Sequence, residues 1–150
     1  MNRPEISIIV PVYKIEEALL RRCIESLRDQ TMETIEILLV DDGCPENGGA
    51  ICHEYAATDA RIRVIHRSNA GISAARNTGM DAAAGRYITF VDGDDFVEPD
   101  YCRLLYAAAE ETGADITVCG ADRYRPDTDK FLPLFSGKSA LLREPREPME

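Results

Sequence analysis

Hydrophobic residues follow two alternating rhythms along this chain. Ile6–Val12 is a near-continuous β-branched run, as expected of a strand covered on both faces. Four more short runs follow at Ile35–Val40, Ile62–Ile65, Tyr87–Val91 and Asp115–Cys119. Between them apolar residues recur at helical spacing. Leu19, Leu20, Cys23, Ile24 and Leu27 predict an amphipathic helix over Glu16–Asp29, with Glu16 and Glu17 favourably placed at its positive end. Ile51, Cys52, Tyr55 and Ala56 mark a short helix after a Pro-, Asn- and Gly-rich loop over Cys44–Gly49. Ile72, Ala75, Gly79, Met80 and Ala83 form the expected buried stripe of a helix over Ile72–Ala84, with Ser68 or Asn69 as its cap. Gly79 lowers helix propensity there, so close packing against the sheet is its expected reason. Pro99 opens a further helix with Tyr101, Leu104, Leu105 and Ala108 facing inward.

Strand and helix alternate at βαβ spacing, which predicts an α/β fold with a mostly parallel central sheet. Pro11 cannot donate to a ladder, so regular pairing of the first strand is expected to stop there. After Gly120 the periodicity fades, and residues 121–150 hold four of the eight prolines. The expected organisation is one domain over 1–120 and an irregular or truncated continuation over 121–150.

Composition narrows the function. The chain has 150 residues and is 45% hydrophobic, enough for one real core. Its net charge of −10 argues against nucleic-acid binding, which needs a basic footprint. It argues equally against a polybasic membrane surface within these residues, leaving peripheral membrane association to sequence C-terminal of them. No signal-peptide pattern and no run of membrane-spanning length is present. The five cysteines show no Cys-x-x-Cys spacing, which fits a reducing compartment; Cys23, Cys102 and Cys119 are expected to be buried. A cytoplasmic location, at most at the inner face of the membrane, follows as the expectation.

Carboxylates stand at the ends of two strands. Asp41-Asp42-Gly43 follows the second, and Asp92-Gly93-Asp94-Asp95 follows the fourth. In open α/β sheets, ligands bind just outside the carboxyl ends of strands. Carboxylates gathered there repel unless a cation lies between them, and hard oxygen ligands suit Mg²⁺ or Mn²⁺, which grip phosphate oxygens. Asp41 reads as a brace for its turn. His53 and His66 have no partners at metal-binding spacing in sequence. Glu110-Glu111 reads as a solvated helix face.

The ordered set Ile8-Ile9-Val10-Pro11-Val12-Tyr13, Val40-Asp41-Asp42-Gly43, Asn69–Asn77 and Val91-Asp92-Gly93-Asp94-Asp95 resembles the family 2 glycosyltransferases of GT-A fold. The resemblance covers roughly Glu5–Gly120. It implies a Rossmann-like three-layer sandwich with strand order 3-2-1-4 and a nucleotide-sugar site, UDP-sugar being the expected donor. By the same resemblance Pro11, Tyr13, Asp42, Arg76, Asp92, Gly93 and Asp94 form that site. Tyr13 would lie by the base and Asp42 would accept a hydrogen bond from it. Arg76 would meet the base or diphosphate, and Asp92 the ribose or sugar. Asp94 would hold a Mn²⁺ or Mg²⁺ cofactor against the diphosphate. The implied reaction is inverting transfer to a saccharide or lipid-linked acceptor in cell-surface polysaccharide synthesis.

Two departures from the family pattern touch the donor site: Lys14 stands where Asn is common, and Cys44-Pro45-Glu46 where Ser-Thr-Asp is common. A third touches catalysis. The family's later acidic motif, which supplies the base, has no convincing match after Gly120, so the catalytic residue is unassigned. Receiver domains and haloacid-dehalogenase-like phosphatases place their acidic motifs after the first strand, unlike this chain. A sugar nucleotidyltransferase needs a Gly-rich, Arg-bearing loop after the first strand, which is missing here. That reading and a non-catalytic nucleotide-binding module remain the alternatives.

Overall fold

A computed structural model describes residues 3–135. In chain order the elements are β1 (Ile6–Val12), α1 (Glu17–Arg28), β2 (Ile35–Asp41), α2 (Gly48–Ala56), β3 (Ile62–His66), α3 (Ile72–Ala82), β4 (Tyr87–Phe90), α4 (Tyr101–Thr112), β5 (Ala121–Arg125) and β6 (Lys130–Phe135). The first four strands form a parallel sheet of order β3-β2-β1-β4, as expected.

Both faces of the sheet are covered, which explains the unbroken apolar runs. On one face Ile6, Ile8, Val10 and Val12 pack with Leu20, Cys23, Ile24 and Leu27 of α1, Ile51, Cys52 and Tyr55 of α2, and Cys102 of α4. On the other, Ile9, Leu38 and Val40 meet Ala75 of α3. A Cβ on Gly79 would run into the side chain of Ile9, so α3 lies against β1 only because that position has none.

Pro11 does not end the β1–β2 ladder, whose register runs on to Val12↔Asp41. The backbone groups of Ile9 face β4, as the Val91 N–H bond to the Ile9 carbonyl shows, and those of Val12 face β2, where its carbonyl accepts from Asp42. Alternation puts the missing N–H of Pro11 on the β4 side, where pairing has already stopped at Ile9↔Phe90. Pro11 thus frees β4 to diverge from β1 and opens the sheet at its carboxyl end.

Several local expectations are corrected. Asp115–Cys119 forms no strand among the described residues, and Ile116 and Val118 are exposed. The segment lies by the β4 edge, yet β-branched composition alone does not make a strand without ladder hydrogen bonds. Residues 121–135, expected to be irregular, form an antiparallel hairpin. Pro126 stands in its turn, and Tyr124 faces Phe131 across the ladder, a stabilising aromatic pair. The remaining residues of that expectation, 136–150, lie outside the described ones. The α3 helix is capped by Gly71 (φ 92°) rather than Ser68 or Asn69, because Asn69 is engaged elsewhere. Ile72, Met80, Leu104 and Cys119 are exposed, not buried.

Candidate donor-binding cleft

The divergence of β4 from β1 leaves a cleft of about 540 Å³ at the carboxyl ends of the strands. One wall is Pro11 and Tyr13–Glu16 with Leu19, at and beyond the end of β1. The second is Asp42 with Asn69, Gly71, Ile72 and Ala75, and the third is Asp92-Gly93-Asp94. Six of the seven residues expected at the site therefore line a single cavity. Arg76, the seventh, reaches the same place by donating from Nη2 to Asp92 Oδ1 at 2.6 Å. Its Nε is buried with no partner.

Asp42 is almost completely enclosed. Its carboxylate accepts from the Asn69 side-chain amide at 3.1 Å, the Ala70 N–H at 3.1 Å and the Gly71 N–H at 2.9 Å. Arg67 Nε lies 2.9 Å from its other face. Arg67 also donates to the Ala74 carbonyl and the Thr78 hydroxyl of α3. Asp42 thus fastens the end of β2 to the turn that opens α3. Asn69, read in the sequence as a helix cap, serves this junction instead.

Asp41 braces its turn by accepting from the Cys44 N–H at 2.9 Å. Its other oxygen is 2.8 Å from His66 Nδ1, and His66 Nε2 is 2.7 Å from His53 Nε2. The chain's two histidines, apparently unrelated in sequence, complete a polar chain from Asp41 to the surface. Nothing short of the β2–β3 register and the position of α2 would have revealed it.

The loop after β4 is held from α1. Gly93 fits against the side chain of Ile15, where a Cβ would collide. Cys23 Sγ lies 3.5 Å from the Asp92 carbonyl. The Arg22 guanidinium stacks 3.5 Å over Phe96 and 4.2 Å over Tyr124, joining the loop to the β5–β6 hairpin. The loop creates a negative field. Burial pushes the Asp95 carboxyl up, and Asp94 and Asp92 add to the shift. Burial takes the Cys23 thiol to about 12, with the same three aspartates contributing.

Asp94 lines the cleft and accepts no hydrogen bond from any described residue. A free carboxylate in a negative field fits a hard divalent cation. No group of three side chains among the described residues could hold such an ion alone. Mg²⁺ and Mn²⁺ sites built from one or two carboxylates and substrate phosphates do not need one. Glu110 is already committed: hydrogen bonding from Tyr87, then from Arg86, holds its carboxyl below the usual range. A low carboxyl pKa disfavours it as a base.

A parallel β3-β2-β1-β4 sheet with an acidic cleft at its carboxyl end is the architecture of a GT-A nucleotide-sugar-binding domain. The chain belongs to the family described as Glycosyl transferase family 2, which matches residues 7–146. It is 46% identical over 142 residues to a glycosyltransferase named EpsJ from Bacillus subtilis (strain 168), covering 95% of this chain and 41% of that protein. It is 48% identical over 114 residues to Glycosyltransferase GlyA of Streptococcus pneumoniae serotype 4, covering 76% of this chain and 16% of that one. Among solved structures, the S. aureus TarS fragment 1–349 in complex with UDP-GlcNAc matches with a TM-score of 0.69 and 26% identity, over 74% of this chain and 32% of that one. The chain thus spans less than half the length of these relatives. No helix among the described residues is long and apolar enough to cross a membrane.

Proposed function

We propose that this chain is the donor-binding domain of an inverting glycosyltransferase that uses a UDP-sugar and Mn²⁺ or Mg²⁺. The observation that carries the reading is the convergence of Tyr13, Asp42, Asp92 and the unpartnered Asp94 on one cleft. The UDP-GlcNAc complex of the structurally similar TarS supports the choice of donor. In this reading the half-exposed ring of Tyr13 offers a face to the base. Asp42 holds the Asn69–Gly71 wall in place and is the acceptor nearest a base N–H entering there. Asp92 meets the ribose or sugar, and Arg76 turns from Asp92 towards the base or diphosphate. Asp94 is the protein ligand of the cation, which when bound would stabilise the leaving diphosphate.

The reaction forms a bond from an acceptor hydroxyl oxygen to the anomeric carbon and breaks the bond from that carbon to the diphosphate. The hydroxyl proton passes to a general base. No described residue is assigned that role; in this reading the acceptor is a saccharide or lipid-linked sugar of cell-surface polysaccharide synthesis. The free cysteines suit a reducing cytoplasm.

Thermal shift with UDP tests the reading. At ~100 times its dissociation constant, UDP should add roughly 2.7 kcal/mol of stability with Mn²⁺ present. Most of that gain should vanish in EDTA or in Asp94→Asn. A response as large in EDTA as in Mn²⁺, or none with any nucleoside diphosphate, counts against the proposal.

A further inference from the structure

Lys14 draws attention on three independent grounds. It lines the donor cleft between Tyr13 and Ile15. Its backbone is left-handed, with φ 49°, a region that favours Gly or Asn and is costly for a long side chain. Its ammonium group has no carboxylate partner among the described residues, and Nζ lies 5.4 Å from the centroid of the Tyr13 ring. The other cation at the cleft, Arg76, is already paired with Asp92. A strained residue that brings an uncommitted positive charge to an acidic cavity is the kind of outlier that points to a ligand.

We propose that Lys14 binds the diphosphate of the donor, as a cation distinct from the metal held at Asp94; the inference rests on the nucleotide-sugar reading of the cleft. A diphosphate entering this site meets Asp92, Asp94 and a chain of net charge −10. One divalent ion does not offset all of that charge. The ammonium carries three donors and no acceptor, so it suits phosphate oxygens and has nothing to offer an N–H. Its four-carbon stem lets it leave the Tyr13 ring as the ligand enters. The inference therefore predicts a part of UDP affinity that persists without metal and depends on Lys14.

The experiment compares UDP with uridine, each titrated calorimetrically into the whole protein in Mn²⁺ and in EDTA. The variants are Lys14→Asn and, as a charge-matched control on the hairpin, Lys130→Asn. Losing a charge-assisted hydrogen bond should weaken UDP binding about tenfold in Lys14→Asn, in both buffers. Uridine affinity should not change, and Lys130→Asn should bind both ligands as the unaltered protein does. The melting temperature of Lys14→Asn should be no lower than the parent's, because Asn tolerates the left-handed backbone better. Equal UDP affinity in Lys14→Asn and the parent overturns the inference. So does an equal loss for uridine, which would place Lys14 at the base instead. Failure of the unaltered protein to bind UDP in either buffer overturns the donor reading itself, and this inference with it.

Discussion

Replacing Asp42 by Asn tests whether the cleft wall is built by that carboxylate. The side chain is only 2% exposed, and donors surround both its oxygens. The substitution turns one oxygen into an NH₂ group. If the NH₂ faces Arg67 and Ala70, the ion pair at 2.9 Å is lost. If it faces Gly71 and Asn69, two N–H groups lose their acceptor. Either orientation forfeits a charge-assisted bond, about 1.5–3 kcal/mol, and leaves a buried donor unpaired, about 1–3 kcal/mol more. The expected loss is therefore about 2.5–6 kcal/mol, a large share of a typical domain's ~5–15 kcal/mol. Urea denaturation measures the loss, and hydrogen exchange locates it, since the Ala70 and Gly71 amides should lose protection first. UDP affinity should fall as well, because the Asn69–Gly71 wall is no longer held. A stability change below ~0.5 kcal/mol with unchanged protection at Ala70 and Gly71 would refute the argument. Asp42 would then act on ligand alone.

Two further outcomes follow from the packing of α3 and the buried face of β2. Gly79→Ala should gain up to ~1 kcal/mol of helix propensity yet be destabilised overall by about 1–3 kcal/mol, because the new methyl group meets Ile9; a denaturation midpoint at or above the parent's would disprove the close approach. Burial alone would raise the carboxyl of Glu36, but hydrogen bonds from Ser7 and the Ala84 N–H, together with Arg63, bring it below its ordinary 4.5. A carboxyl lowered on folding stabilises fully above its unfolded value and loses that contribution as pH falls through its folded value, so Glu36→Gln should flatten the decline in stability below about pH 4.5. Parallel acid-unfolding curves for the two proteins would show that Glu36 is not responsible.

Much of the site was legible before any coordinates. Strand ends mark where ligands bind in an open parallel sheet, so the position of Asp92-Gly93-Asp94 after a β-branched run already located the cleft. The resemblance added Pro11, Tyr13, Asp42 and Arg76, of which the first three line the same cleft and Arg76 reaches it through Asp92. It did not show what those residues do to one another. The multiple bonds of Asp42, the Arg76–Asp92 pair and the unpartnered state of Asp94 depend on distances between segments remote in sequence. Asp115–Cys119 shows the reverse failure, a convincing strand pattern that lies by the β4 edge without forming a ladder among the described residues. Over residues 121–135, prolines obscured a hairpin whose signal was the Tyr124–Phe131 pair on either side of a Pro-Asp turn.

The division has a physical basis. Periodicity records which side of an element is buried, and each strand or helix senses that locally. The amino-acid order was thus sufficient for the βαβ alternation, the two-sided burial of β1 and the placing of carboxylates at strand ends. Topology decides which element ends meet, and side-chain contacts across those junctions have no periodicity to betray them. Only the folded chain therefore linked His53 to His66, laid Arg22 over Phe96 and left Lys14 uncommitted at the mouth of the cleft.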